Sequence, residues 1–369
     1  MEKAALNFAF AGKPVSCEQY GCGHINRTFL VVTDTGKRYI LQQINNRVFP
    51  DIEGLMENIS AVTEFISGRV ATDRECLHLI KSLDGKVFWR DEQGEYWRAY
   101  DFLEDSLCLQ LPECEEDFFE SAVAFGSFQN QLADFPAETL HETIVGFHNT
   151  PDRYRKFKRA LEEDALGRAA EVEKEIAFVL EREEEAGFLQ SLRESGALPL
   201  RVTHNDTKLN NVMLDAQTRK ALCIVDLDTV MPGLAAYDFG DSIRFGASTA
   251  AEDEKDIDKV EMSLELYATY VRGFLSACHS LTELEKQTLP MGAKLMTLEC
   301  GLRFLTDYLE GDKYFAIARP EHNLDRARTQ FKLVYDMEKK WRQMEEIVAR
   351  EGKRDDDTEL SAATEPELN

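Results

Sequence analysis

No run of apolar residues in this chain is long enough to span a bilayer, and the stretch from Met1 to Pro14 lacks a signal-type apolar core. Both observations argue against a membrane partner or a membrane span. No two cysteines stand at Cys-x-x-Cys spacing; the eight, at positions 17, 22, 76, 108, 114, 223, 278 and 300, are scattered, with no histidines beside them at zinc spacing. A chain of 369 residues can bury enough surface to do without disulfides, so the cysteines read as thiols in a reducing cytoplasm. Positive charge is also scarce. The 43 basic residues face 68 acidic ones, a net charge of −25, which argues against a nucleic-acid partner or an anionic membrane surface. That field repels phosphate-bearing ligands too, so a phosphate site here must supply its own local positive potential. No repeat of fixed period is visible, and nothing in the sequence reports oligomeric state.

Residues 1–103 read as strands around one helix. Phe29 to Val32, the turn Thr33-Asp34-Thr35-Gly36 and Arg38 to Ile44 form a strand, turn and strand. Ile52, Leu55, Met56, Ile59, Val62 and Ile66 keep the 3.6-residue period of a helix over 51–68. Val87 to Arg90 and Tyr96 to Tyr100 make a second hairpin, and Phe102-Leu103-Glu104 follows as a candidate hinge. From Pro112 helical periodicity dominates, with a highly charged stretch over 151–195 and further helices expected over 252–278, 284–310 and 323–350. Residues 352–369 are polar and acidic without an apolar period, the composition of a disordered tail.

The most informative stretch is Thr203-His204-Asn205-Asp206-Thr207-Lys208-Leu209-Asn210-Asn211, followed by Asp226. Phosphoryl transfer needs a positioned base near the attacking hydroxyl and ligands that hold a metal on the phosphates. Asp206 suits the first task. Asn211 and Asp226 suit the second, because Mg²⁺ takes hard oxygen ligands and usually one or two carboxylates. Val212-Met213-Leu214 and Ala221 to Val225, joined by the polar turn 215–220, read as a β-hairpin that brings Asn211 and Asp226 together at its open end. An isolated Asp-x-x-x-x-Asn is more often turn chemistry than catalysis. The hairpin, Asp226 and the run Tyr237-Asp238-Phe239-Gly240-Asp241 make coincidence a poor explanation. Asp228 either assists the metal or caps the next turn; Asp238 reads as a buried acceptor bracing the loop. Gly21-Cys22-Gly23 is either a loop donating backbone N–H groups to phosphate or an ordinary hairpin turn.

Together with Gly21 to Asn26, Arg38 to Gln43, Asp226 to Thr229, Phe239 to Thr249 and Leu302 to Phe315, this stretch resembles the aminoglycoside phosphotransferase/choline kinase superfamily. Within it the match is to the N-acetylhexosamine 1-kinases, over nearly all of residues 5–350; the run Asp238 to Ser248 points to that branch. The resemblance implies an α+β, two-lobed protein-kinase-like fold: a small antiparallel-sheet lobe (1–103) for nucleotide and a larger, mostly helical lobe (104–351) for catalysis and sugar. It implies an enzyme that transfers phosphate from ATP, with Mg²⁺, to the anomeric hydroxyl of N-acetylglucosamine or N-acetylgalactosamine. Asp206 would be the catalytic base and a substrate contact. Gly21, Gly23, Asn26 and Gln42 would meet nucleotide; His24, Arg244, Phe245, Arg303 and Tyr314 would border the sugar. Asn26 stands where a third glycine is common.

The strand Tyr39-Ile40-Leu41-Gln42-Gln43 has no lysine where most relatives have one. Glutamine can donate hydrogen bonds but cannot neutralise charge, so Mg²⁺, with Arg303, is expected to replace that cation. On residue chemistry alone Arg303 reads equally as an ion-pair partner of Glu299, four residues earlier on a helix, and Phe245 as a core ring. The alternatives are the same chemistry on choline, homoserine, a thiosugar or an aminoglycoside, or a nucleotide-binding pseudokinase, which the missing lysine favours and the intact Asp206, Asn211 and Asp226 oppose.

Overall fold

The computed structural model describes residues 3–21 and 25–362, with side chains to residue 353. Its strands are β1 (Pro14–Gln19), β2 (Arg27–Thr33), β3 (Arg38–Ile44), β4 (Leu79–Ile80), β5 (Trp89–Arg90), β6 (Tyr96–Asp101), β7 (Ser106–Cys108), β8 (Arg201–Thr203), β9 (Val212–Asp215), β10 (Ala221–Ile224) and β11 (Met231–Gly233). Its helices are α1 (Ile52–Ser67), α2 (Glu115–Gln131), α3 (Thr150–Glu163), α4 (Glu173–Leu180), α5 (Phe188–Glu194), α6 (Ala235–Gly246), α7 (Leu264–Ala277), α8 (Glu283–Glu310), α9 (His322–Lys339) and α10 (Trp341–Ala362). The chain is α+β, an antiparallel-sheet N-terminal lobe plus a helical C-terminal lobe.

Two compact units contain these elements, and neither is one continuous block of sequence as a boundary at residue 103 would make it. The first holds Met1–Cys108, Asp134–Val145 and Asn211–Pro232; the second holds Leu109–Ala133, Gly146–Asn210 and Gly233–Asn369. In the first unit, strands run antiparallel in the order β1-β2-β3-β6-β4, with β5 also on β6. Alternation along β2 and β3 sends Phe29, Val31, Tyr39 and Leu41 to one face, where they pack with Ala4, Ala5, Phe8, Trp97 and Ala99. Gln42 and Arg98 are cross-strand partners in the β3–β6 register. The hairpin β9–β10 joins β7 in a second, three-stranded sheet of the same unit. Asp51 caps α1 by accepting from the Gly54 N–H at 3.0 Å, which ends the loop and starts the helix.

The second unit is helical. Its main core gathers Phe157, Val179, Leu298, Leu302, Leu305, Leu324 and Val334 from helices α3, α4, α8 and α9. Helices α6 and α8 cross at glycine: a Cβ on Gly240 would stand 2.3 Å from the Gly292 carbonyl oxygen, and one on Gly292 would stand 2.2 Å from that of Ala236. The charged stretch over 151–195 holds helices α3, α4 and α5; Asp164 and Gly167, both with positive φ, lie in the break between α3 and α4. Helix does not fill 252–278 as its periodicity suggests. Residues 249–262 fold back on themselves instead, with a bridge between Ser248 and Met262 and a hydrogen bond of 3.0 Å from Thr249 N–H to the Glu261 carbonyl. The acidic tail expected from Gly352 differs in part as well, since α10 continues to Ala362; its Lys, Arg and Glu content is compatible with helix.

The seven described cysteines are free thiols. Burial raises the pKa of Cys223 above the ordinary thiol value, consistent with a core position on β10. Among the described residues no helix is long and apolar enough to cross a membrane.

Candidate active site

In the helical unit, β8 delivers the chain to a loop with little freedom. His204 is fully buried, its ring edge-on to Phe125 and Phe128 at centroid distances of 5.5 and 6.0 Å. Asn205 adopts φ 64°. Asp238, on α6, accepts from the backbone N–H groups of His204 and Asn205 at 2.9 and 2.8 Å and from the Gln129 amide at 2.8 Å. The same Gln129 amide donates to the Val202 carbonyl at 2.9 Å. One helical turn on, Asp241 accepts from the Thr207 N–H at 3.0 Å, and the Ser242 hydroxyl donates to the Thr207 carbonyl at 2.9 Å. Buried backbone donors must find partners, and here α6 supplies them on both sides of Asp206. Burial drives the Asp238 carboxyl above its ordinary pKa, against the opposing N–H bonds from Asn205 and His204.

Asp206 keeps about a third of its side chain exposed, and Lys208 Nζ stands 2.8 Å from its carboxylate. Desolvation disfavours the charge on Lys208, but Asp206 and then Asp241 outweigh it and hold the ammonium above its ordinary pKa. Lys208 is not among the residues the sequence pattern singles out, although its place two residues after the candidate base is a usable signal. Arg244, expected at the substrate, is buried. Its Nε and Nη2 donate to Asp241 at 3.1 and 3.0 Å and its Nη1 to Glu252 at 2.8 Å. It therefore supports the carboxylate that holds Thr207.

Arg303 and Tyr314 do meet. The guanidinium lies 5.7 Å from the Tyr314 ring centroid and 5.3 Å from that of Phe315, and Tyr314 is 72% exposed. The Glu299 carboxylate, the other partner considered for Arg303, accepts instead from Thr150 at 2.7 Å and pairs with His148 at 3.0 Å. Phe245 is half-buried near the C-terminal end of α6.

In the sheet unit, β9 and β10 pair with Ile224 opposite Val212, and the Val225 N–H donates to the Asn211 carbonyl at 2.9 Å. Asn211 and Asp226 thus flank the hairpin's open end. Asp226 adopts φ 59°, a left-handed conformation that Asp tolerates better than most residues and that costs of order 1 kcal/mol or more. An amide oxygen and a carboxylate are hard donors, the chemistry of a small divalent cation that also binds phosphate and keeps some water. These residues fit Mg²⁺.

The next acid, Asp228, is buried. Its two carboxylate oxygens accept separately from Arg98 and from the Asn26 amide. Arg98 is 1% exposed, and its Nε donates to Gln42 Oε1 at 2.9 Å. Desolvation opposes its charge, yet Asp228 more than compensates and its pKa stays above the ordinary guanidinium value. The Gln42 amide donates to the Thr28 hydroxyl at 3.1 Å, and Asn26 Oδ1 accepts from the Asn45 N–H at 3.0 Å. Gln42 and Asn26, expected at the nucleotide, thus have these polar atoms engaged within the fold. Gly21 has φ 72°; Gly23 and His24 lie outside the described residues.

The fold has counterparts among solved structures. A microcompartment-associated aminopropanol kinase superposes with a TM-score of 0.54 at 16% identity, covering 89% of this chain and 93% of its own. An amicoumacin kinase in complex with AMP-PNP, Ca²⁺ and Ami gives 0.57 at 13% identity, over 89% and 91%. The ethanolamine kinase of Plasmodium vivax gives 0.53 at 15% identity, over 85% and 82%. These likenesses establish the protein-kinase-like fold. The sequence itself matches the model of the phosphotransferase enzyme family across residues 16–273, well over half its length. This chain belongs to that family, the small-molecule kinases of the aminoglycoside phosphotransferase/choline kinase-like superfamily.

Proposed function

We propose that the protein is an ATP- and Mg²⁺-dependent kinase that phosphorylates the anomeric C1 hydroxyl of an N-acetylhexosamine. The observation that carries the phosphotransferase part is the pinned loop around Asp206: a carboxylate that remains accessible while the backbone on both sides is tied to α6. A general base must be placed before it can be useful, and this loop is built for placement. Asp206 accepts the hydrogen bond of the acceptor hydroxyl and takes its proton as the oxygen bonds to phosphorus. Lys208, beside it, offers positive charge to the transferring phosphoryl group, where preorganised charge is worth most.

Asn211 and Asp226 would hold Mg²⁺, which when bound neutralises charge on the β- and γ-phosphates. The remaining work belongs to the chain. The turn at Gly21 lets backbone approach the phosphates, and Arg303 and Tyr314 present a cation and an exposed ring to a polyhydroxylated substrate. The half-buried Phe245 offers an apolar face for the N-acetyl group or the pyranose. The sugar assignment is supported by the run from Asp238 to Ser248 and by the Arg303–Tyr314 pair.

An ADP-release assay across N-acetylglucosamine, N-acetylgalactosamine, glucose, choline, ethanolamine, aminopropanol, homoserine, a methylated thiosugar and an aminoglycoside tests it directly. Turnover is expected only with the N-acetylhexosamines, giving an alkali-stable but acid-labile sugar 1-phosphate, and only with divalent metal present. Turnover confined to an amine would move the protein to the amino-alcohol branch. ATP binding without turnover on any acceptor would make it a pseudokinase.

A further inference from the structure

A strand without the usual lysine still places a cation in the sheet. Gln42 occupies β3, and directly across the register on β6 stands Arg98. Its fork bridges two elements: Nε to Gln42 Oε1 at 2.9 Å and Nη1 to Asp228, two residues past Asp226. Asn26, at the entry to β2, closes the cluster on the other Asp228 oxygen and is itself fixed by the Asn45 N–H. Two segments of the sheet unit, β6 and the entry to β2, therefore meet on one buried carboxylate that follows the left-handed Asp226, with Gln42 and Asn45 holding the two donors in place.

Burying a guanidinium and a carboxylate is costly, and an apolar pair of similar volume would often serve stability as well or better. A pair retained at such cost calls for a role in geometry. We propose that Arg98 is a positioning residue for the metal loop: it fastens Asp226-Leu227-Asp228 to the sheet so that the Asp226 carboxylate is presented in one orientation beside Asn211. With both its oxygens engaged, Asp228 serves the loop as an anchor. The cation is thus retained in the sheet, one strand over from the missing lysine, but anchors the acidic loop and does not reach for phosphate. This rests on the reading of Asn211 and Asp226 as metal ligands and is independent of which acceptor is phosphorylated.

The test reads binding, with no acceptor present. Affinity for Mn²⁺·AMP-PNP is measured by Mn²⁺ electron paramagnetic resonance, and affinity for AMP-PNP in chelator by calorimetry, with circular dichroism reporting the fold. Arg98→Met combined with Asp228→Asn leaves no lone buried charge, and it should weaken the metal complex about tenfold or more while sparing metal-free nucleotide. Arg98→Lys keeps the charge but loses the planar fork that bridges Gln42 and Asp228, so its loss should fall between wild type and the double variant. Asp228→Asn alone leaves the buried Arg98 charge without its counter-ion, so with the fold retained its metal affinity should fall, but by less than that of Asp226→Asn.

Wild-type metal binding in either Arg98 variant would overturn the proposal, as would an equal loss with and without metal. A loss in Asp228→Asn as large as that in Asp226→Asn would also overturn it, making Asp228 a ligand and Arg98 its counter-ion. Failure of the wild-type protein to bind Mn²⁺·AMP-PNP would instead refute the reading of Asn211 and Asp226.

Discussion

Asp238 and Asp228 are both almost completely buried carboxylates, at 0% and 4% exposure, and each holds a loop, yet they are met by different partners. Asp238 is surrounded by neutral donors: two backbone N–H groups and a glutamine amide. Asp228 is met by a buried guanidinium and an asparagine amide. Neutral donors do not cancel the cost of burying the charge, and the Asp238 carboxyl accordingly sits above its ordinary pKa. The difference suits the backbone being held. Around Asp206 the loop offers its own N–H groups, so a bare acceptor on a helix suffices. The loop after Asp226 is fastened through a side-chain acid, and fastening that to a sheet requires a donor long enough to reach across.

The comparison can be broken at several points, beginning with the largest effect. Asp206→Asn keeps the loop's shape and removes the base. Its kcat should fall by about 10² to 10⁴-fold while AMP-PNP affinity stays near wild type; an active Asp206→Asn enzyme would contradict the assignment. Asp238→Ala leaves the His204 and Asn205 N–H groups without their acceptor at a cost of about 1–3 kcal/mol for each buried donor. Denaturant unfolding should show that loss, and activity should fall more than the folded fraction does. Gly240→Ala forces a methyl against the Gly292 carbonyl and should cost about 1–3 kcal/mol by the same measurement.

The smallest effect is a contrast in pH dependence between two acids on one helix. Burial opposes the charge on Asp241, but Arg244 and then Lys208 outweigh it, and its folded pKa lies below the ordinary carboxylate value. Its contribution to stability is therefore present above that ordinary value and lost as pH falls through the depressed one. Asp238 runs the other way: with a raised pKa, its contribution is fully present below the ordinary value and declines as pH rises through the folded one. Thermal melts across the acid range should show the gap between wild type and Asp241→Asn narrowing as pH drops. The gap for Asp238→Asn should move in wild type's favour.

Much of this was legible from local pattern. The hairpin 212–224 is written in two apolar runs and a polar turn, and its open end follows from antiparallel pairing alone. Asp238 as a brace was readable from its place in the run Tyr237 to Asp241 that follows the Asp206 loop and the hairpin. Arg98 was not readable. In sequence it is one polar residue in the strand Tyr96–Asp101, and its partner lies 130 positions away. Separation along the chain, between 14 and 202 positions, also hid the engagement of Gln42 and Asn26, whose side chains looked available because the groups they bond come from other strands and loops. The first part of the helix expected over 252–278 failed for a related reason: the periodicity was present, but the Thr249 N–H finds the Glu261 carbonyl and the Met262 N–H finds the Asp336 carboxylate, partners that lie outside a local helical turn.

The close approach of Gly240 to Gly292 joins two jobs in one block. Helix α6 carries the residues that tie down Asp206, and helix α8 carries Arg303 on its way to Tyr314. With backbone against backbone at the crossing, neither helix can slide or roll to suit a new acceptor without displacing the other. A lineage seeking a different alcohol would find that route closed. It would have to change the fringe instead, at exposed positions such as Tyr314, where a side chain can be exchanged without disturbing the loop around Asp206.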